Sequence, residues 1–309
     1  MKELPKRIGV GLILLICSIL SPLAHADTIY LSTFNLNMID KFDSSGNGSV
    51  FATASSGLNY PLGLALDSGG DLYVADFGNN TIEEFSSGGT PSVFATAASG
   101  LSEPEGLAFD SSGNLYVSNA GNNTIEKFTS SGTGSVFATA ASGVDYPGAL
   151  AFDSSGNLYV ANGGNNTIGK FTSSGQGSVF IGSGVSPAGL AFDGHGNLYV
   201  ANYSSHTIEK FNSSGQGSTF TSTNLLSLPE GIAFDSSGVL YVANHGTGDI
   251  LKFDTNGVGS VFAHGLEGAA NYIAIQVPEP SSLLLTALGL AAVVPWQLCR
   301  HKRRNHPAV

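Results

Sequence analysis

One recurring position in this chain gathers the side chains with the most evident chemistry. A short phrase (proline, a variable residue, a small residue, then Leu or Ile) repeats along the sequence. Its variable residue is in turn Leu62, Glu105, Gly148, Ala188 and Glu230, with Asn271 in a last copy that lacks the proline. Glu105, Glu230 and Asn271 are oxygen donors of the kind that calcium or magnesium takes. The other copies offer no donor, and carboxylates on turns are usually just solvated. A hydrolytic site also needs a base, and no histidine accompanies these three residues in a fixed motif. His195, His206, His245 and His264 are scattered through loop-like segments, and the sequence has no HExxH, no GxSxG and no phosphate-binding loop.

Two further recurring positions carry polar groups. Asp67, Asp110, Asp153, Asp193 and Asp235 open turns resembling "DSSGN", whose spacing fits neither the EF-hand nor the calcium-binding nonapeptide. Bonding of the carboxylate to turn amides is the expected role. Asp76, Asn119, Asn162, Asn202 and Asn244 end the next apolar segment. Such groups hydrogen-bond a sugar or a peptide, or they fix turns, and turns are the commoner use.

The elements that must hold these residues follow from the repeat. Tyr30, Tyr73, Tyr116, Tyr159, Tyr199 and Tyr241 stand 43, 43, 43, 40 and 42 residues apart. A period of about 42 suits one four-stranded propeller blade. Within a unit, "GLAFD", "LYVAN", "TIEKF" and "SVFAT" read as four short strands separated by Ser-, Gly- and Asn-rich turns. The ends of the array choose a ring over a linear solenoid. The first unit begins at its second strand, "TIYLS", and the last is followed by one extra first strand, "YIAIQ" at Tyr272 to Gln276. The predicted fold is therefore all-β: a six-bladed β-propeller over residues 27–276, closed by a C-terminal strand that completes the first blade. Small residues in the first strands suit crowding at a central axis, and aromatics in the second and fourth strands suit packing between blades.

The two ends of the chain have a different character. Lys2, Lys6 and Arg7 precede an apolar run from Ile8 to Leu20, and Ala24-His25-Ala26 follows. That order predicts a signal peptide, residues 1–26, cleaved after Ala26. At the other end Val277, Pro278, Glu279 and Pro280 lead into an apolar stretch, Leu283–Leu298. Arg300, Lys302, Arg303 and Arg304 come next and hold that side in the cytoplasm. Residues 305–309 form a short extension. Between the ends, residues 27–276 carry five lysines against 21 acidic residues, a net −16, which argues against a nucleic-acid ligand. Cys17 and Cys299 both fall in the end segments, so the body is stabilised without a disulfide.

Two family resemblances sit on these motifs. Residues 277–304 resemble the PEP-CTERM sorting signal of Gram-negative bacteria. The resemblance implies processing by an exosortase and transient anchoring in the inner membrane through the C-terminal helix. It also implies delivery to the cell envelope or an extracellular matrix. The phrase "P-x-G-[LI]-A-[FL]-D…LYVA-[DN]…N-x-x-I-x-x-F" resembles the NHL repeat and its six-bladed relatives, including gluconolactonase-like propellers. In those relatives the positions of Glu105, Glu230 and Asn271 supply ligands to a divalent cation. Thr81, Thr124, Thr167 and Thr207 stand where many NHL units carry a basic residue, in line with the acidic balance. The function expected first is a surface-displayed binding module for a polysaccharide or an envelope protein. A divalent-metal-dependent hydrolase or lactonase is the alternative.

Overall fold

The computed structural model describes residues 27–264 and 269–276. The expected signal peptide, the sorting motif Val277–Pro280, the apolar stretch Leu283–Leu298 and the basic cluster lie outside them. Among the described residues no helix is long and apolar enough to cross a membrane.

Six four-stranded antiparallel sheets follow one another, each numbered here as a blade in chain order. Every blade meanders outward from an innermost strand such as Pro104–Phe109 or Pro229–Phe234 to an outermost strand such as Gly134–Thr139. Blade 1 takes its innermost strand, Ile273–Gln276, from the end of the chain, pairing Thr28 with Gln276 and Leu31 with Ile273. The ring is closed as the repeat phase requires.

Crowding at the axis explains the small residues of the innermost strands. A Cβ added at Gly231 would lie 2.7 Å from the Asn271 carbonyl oxygen, and one at Gly63 or Gly189 would collide with the carbonyl of Glu105 or Glu230. Neighbouring innermost strands thus touch backbone to backbone, and only a residue without a side chain allows it. Second strands are buried along their whole length, as in "LYVAN" at Leu158–Asn162, because blades cover both faces. Their tyrosines tie one blade to the next. Tyr116 meets Phe137 of its own blade and Phe152 of the following blade edge-on, both at 4.9 Å between centroids. Tyr159 and Tyr199 repeat the arrangement.

A second tie lies at the loops before four of the innermost strands. Asn37, Asn80 and Asn123 adopt left-handed backbone conformations, and so do Tyr60, Glu103 and Tyr146, each just before a proline. Each asparagine side chain accepts the amide N–H of its counterpart in the next blade, at 2.7, 2.6 and 2.5 Å. His206 does the same for Leu228 through Nδ1 at 3.0 Å. On the outside, every blade carries a bulge between its third and fourth strands. Bulges twist exposed edges away from pairing with other chains.

One buried group opposes the fold. Asp40 has no exposed surface and neither carboxylate oxygen has a hydrogen-bond partner among the described residues. Burial pushes its carboxyl from 3.8 up to about 6. Blade 6 has a buried leucine, Leu251, at the equivalent place. A raised carboxyl means that the folded state binds the proton more tightly, so the penalty is absent below the unfolded value and complete above the folded one. Asp40→Leu is expected to stabilise the ring by up to roughly 3 kcal/mol above pH 6, with the gain shrinking toward pH 4. Urea melts of both proteins across that range check the size and the sign.

Candidate functional site at the ring mouth

The innermost strands begin at one face of the ring, and their first residues line its mouth. Five of the six positions there keep the repeat's small residue at the axis: Gly63, Gly106, Ala149, Gly189 and Gly231. The closing strand departs from it, with Tyr272 in that place. Its ring is 7% exposed and lines an axial cavity of about 80 Å³ together with Gly106, Gly189 and Gly231. Tyr272 is held by its amide, which donates to the Ser32 hydroxyl at 3.0 Å, and its phenol donates to Glu105 Oε1 at 3.0 Å.

A second group forms where blade 6 meets blade 1. His245 Nδ1 lies 3.1 Å from Glu230 Oε2, and Asn271 Nδ2 donates to the same oxygen at 2.9 Å. Asn271 is nearly fully buried, and its Oδ1 accepts the Phe34 amide N–H at 3.0 Å. That backbone donor fixes which way the amide faces. The Glu230 Oε2 carboxylate oxygen accepts the proton of His245 Nδ1, and the Asn271 NH2 donates to that same oxygen, which leaves Nε2 as the free lone pair. Tyr203 packs edge-on to the imidazole at 5.7 Å.

The electrostatics separate the two groups. Burial pushes the Glu105 carboxyl from 4.5 up to about 7, the Tyr272 hydrogen bond pulls against that, and the charge of Glu230 adds to the rise. The hydrogen bond to Glu230 lifts His245 above its ordinary 6.5, against the opposing effect of burial. Burial drives the Tyr272 phenol well above its usual range. Near neutrality the mouth therefore holds a carboxyl and an imidazole that both exchange a proton.

The three residues expected to bind a cation are all at the mouth, but they are engaged separately. Glu105 is bonded to Tyr272, whereas Glu230 and Asn271 face His245, with the asparagine presenting nitrogen and not oxygen. Among the described residues no group of three or more His, Cys, Asp or Glu is arranged to hold a metal ion. The donor set does not fit calcium or magnesium in this arrangement, and no chemistry is derived through one. The other recurring polar positions serve the fold. Asp110 Oδ1 accepts the amides of Ser112 and Asn114, both at 2.9 Å. Asn119, Asn162 and Asn244 are buried and accept amides of the loop entering their own blade.

Residues 22–271 match the virginiamycin B lyase family, and residues 276–304 match the PEP-CTERM protein-sorting motif. The chain belongs to the virginiamycin B lyase family. No curated protein sequence matches the chain. Solved structures share the fold. The catalytically inactive histidine-to-alanine virginiamycin B lyase from Staphylococcus aureus with quinupristin is 18% identical, with TM-score 0.64, over 84% of this chain and 94% of its own. A gluconolactonase from Xanthomonas campestris is 19% identical, with TM-score 0.60, over 69% and 78%. A chain of a nidogen/laminin complex is 19% identical, with TM-score 0.71, over 81% and 98%.

This lyase-family mouth contains three residues that the sequence argument passed over: His245, Tyr203 and Tyr272. The signal was available in the register of the repeat. His245 aligns with Phe34, Phe77, Ala120, Gly163 and Tyr203, and Tyr272 aligns with the axial small residues. Because its hydrogen bond favours the charged form of Glu105, Tyr272→Phe is expected to raise the Glu105 titration above pH 7. Carbon-13 NMR of the labelled carboxyl reads that shift directly, and a fall would contradict the assigned bond.

Proposed function

We propose that the exported ring works at its mouth as a general acid–base site that carries out an elimination, in keeping with the lyase name of its family. One observation carries the proposal: a carboxyl raised to titrate at about 7 shares a mouth with a histidine whose tautomer a carboxylate fixes. Opposed environments for two titratable groups are how a single site supplies both acid and base. His245 Nε2 takes a proton from a carbon next to a carbonyl. The freed electron pair forms a carbon–carbon double bond, and the bond from the neighbouring carbon to its oxygen breaks. Glu105 delivers its proton to that leaving oxygen, and Tyr272 holds the carboxyl in place.

The sequence alone points first to binding and next to metal-dependent hydrolysis. Chemistry is favoured here because Glu105, Glu230 and Asn271, at the repeat's variable position, gather at one mouth with His245 and with Tyr272, which replaces the repeat's small residue. The sorting motif supports export to the cell envelope. Exosortase processing at Val277–Pro280 and inner-membrane retention by Arg300, Lys302, Arg303 and Arg304 belong to the same proposal.

The ring from Asp27 to Val277 contains all six sheets and suffices for the test. It is incubated with quinupristin and with simple lactones, and products are weighed by mass spectrometry. In a cyclic substrate, elimination opens the ring at unchanged mass, whereas hydrolysis adds one water. The expected product has unchanged mass, and His245→Ala slows its formation about 10²–10⁴-fold. The rate should be bell-shaped in pH, limited on the acid side by protonation of His245 above 6.5 and on the alkaline side by loss of the Glu105 proton at about 7. A hydrolysed product would support the lactonase alternative, and binding without turnover would return the mouth to a binding role.

A further inference from the structure

The face opposite the mouth has a feature that the mouth chemistry does not use. Clefts of similar size open at equivalent blade junctions. The one between blades 2 and 3 has a volume of about 330 Å³ and is lined by Tyr73, Phe94, Phe109, Ser111 and Thr129 among others. Between blades 4 and 5 the volume is about 300 Å³, with Tyr159, Phe180, Phe192, Ser154 and Asn212. Between blades 5 and 6 it is about 360 Å³, with Tyr199, Phe220, Phe234, Ser236 and Thr255. In each, the phenylalanines are half-buried, so the cleft has aromatic walls, and two polar turns form its rim.

The rim repeats more closely than the fold demands. The turn after each innermost strand needs its aspartate and a glycine at positive φ, such as Gly113, Gly156 or Gly238. It does not need the serines between them. Yet Ser111, Ser154 and Ser236 recur there, and a second hydroxyl-bearing turn, at Ser130, Ser213 or their counterpart Thr255, recurs between the outer strands. The charges narrow the ligand. Lys170 and Lys210 are paired to Asp153 and Asp193 and lie over the rings of Tyr159 and Tyr199. Each cleft thus shows carboxylates and hydroxyls without an unpaired lysine or arginine among its lining residues, His195 adding an imidazole to two of them, and this acidic balance disfavours an anionic ligand.

From this we infer that the clefts are a multivalent site for a neutral polysaccharide, one pyranose-sized unit per junction. A pyranose has an apolar face for the aromatic wall and hydroxyls for the serine, threonine and asparagine rim. Volumes near 300 Å³ are at the lower end for small-ligand pockets, so each contact is weak. Repetition around one ring converts weak contacts into retention on a polymer, because later contacts form at high effective concentration. The binding is independent of the mouth and does not rest on the elimination proposed there.

The test is affinity electrophoresis of the ring from Asp27 to Val277 in gels containing dextran, galactomannan, alginate or chitosan. It is paired with an array of neutral oligosaccharides. A neutral polymer should retard the ring, and the matching monosaccharide should bind at least about 10²-fold more weakly. Filling one cleft with Ser111→Trp should weaken retardation several-fold. Adding Ser154→Trp and Ser236→Trp should abolish it, with the melting curve unchanged. Glu105→Gln should leave retardation intact. The inference is overturned by retardation only on alginate or chitosan, by no neutral ligand in gel or array, or by retardation that survives the triple variant.

Discussion

Four backbone pairs hold this molecule's design together: those joining Thr28–Leu31 to Ile273–Gln276. Each blade packs its buried faces against two neighbours, so an open array would leave two faces uncovered and two inner edges unpaired. Closure removes both at once. It also delivers Asn271 and Tyr272 to the mouth. The Asn271 amide donates to the Ser32 carbonyl at 3.0 Å and the Tyr272 amide to the Ser32 hydroxyl, so the strand that shuts the ring also builds the site. Stability and function share one structural event.

Elsewhere the molecule divides its labour between repetition and departure. The repeated residues solve the same problems blade after blade: glycine at the axis in four, tyrosine between phenylalanines in four, asparagine latched to the next blade in three. The departures from the repeat collect where backbone packing is already secure. Glu105 takes a place that is glycine or alanine in blades 4 and 5, and His245 one that is phenylalanine in blades 1 and 2. Such exchanges at a rim are tolerated because the turns beneath them are fixed by other residues. Asp40 stands in the interior at a place that is glutamate in blades 2, 3 and 5, but unlike Glu83, which accepts from Thr81, it is opposed by desolvation and gains no bond.

The architecture was legible because period, strand composition and the misplaced first strand are all one-dimensional signals. The missing strand at Thr28 and the surplus strand at Tyr272–Gln276 stated the closure outright. The candidate site was half legible. Glu105, Glu230 and Asn271 stood out as polar residues at a repeated position, but their partners did not, since His245 and Tyr272 come from other strands and meet them only in the ring. Nor did the spacing show that Asn271 would turn its nitrogen toward Glu230, which depends on a backbone N–H of Phe34, 237 residues away. The asparagine pairs "NN" read as turn residues. The second of each, Asn80 or Asn123, is a latch between blades, a role visible only when neighbouring units stand side by side.

The closing strand also decides how the ring answers to force. Gln276 lies at the end of the innermost strand away from the mouth, and a pull on it can be directed along the strand axis or across it. Along the axis, the pairs from Thr28–Gln276 to Leu31–Ile273 bear the load together, in shear, and none can be peeled ahead of the rest. Pulled sideways, the same four pairs would open in succession, like a zip. A ring tugged along its own last strand is gripped in its strongest direction.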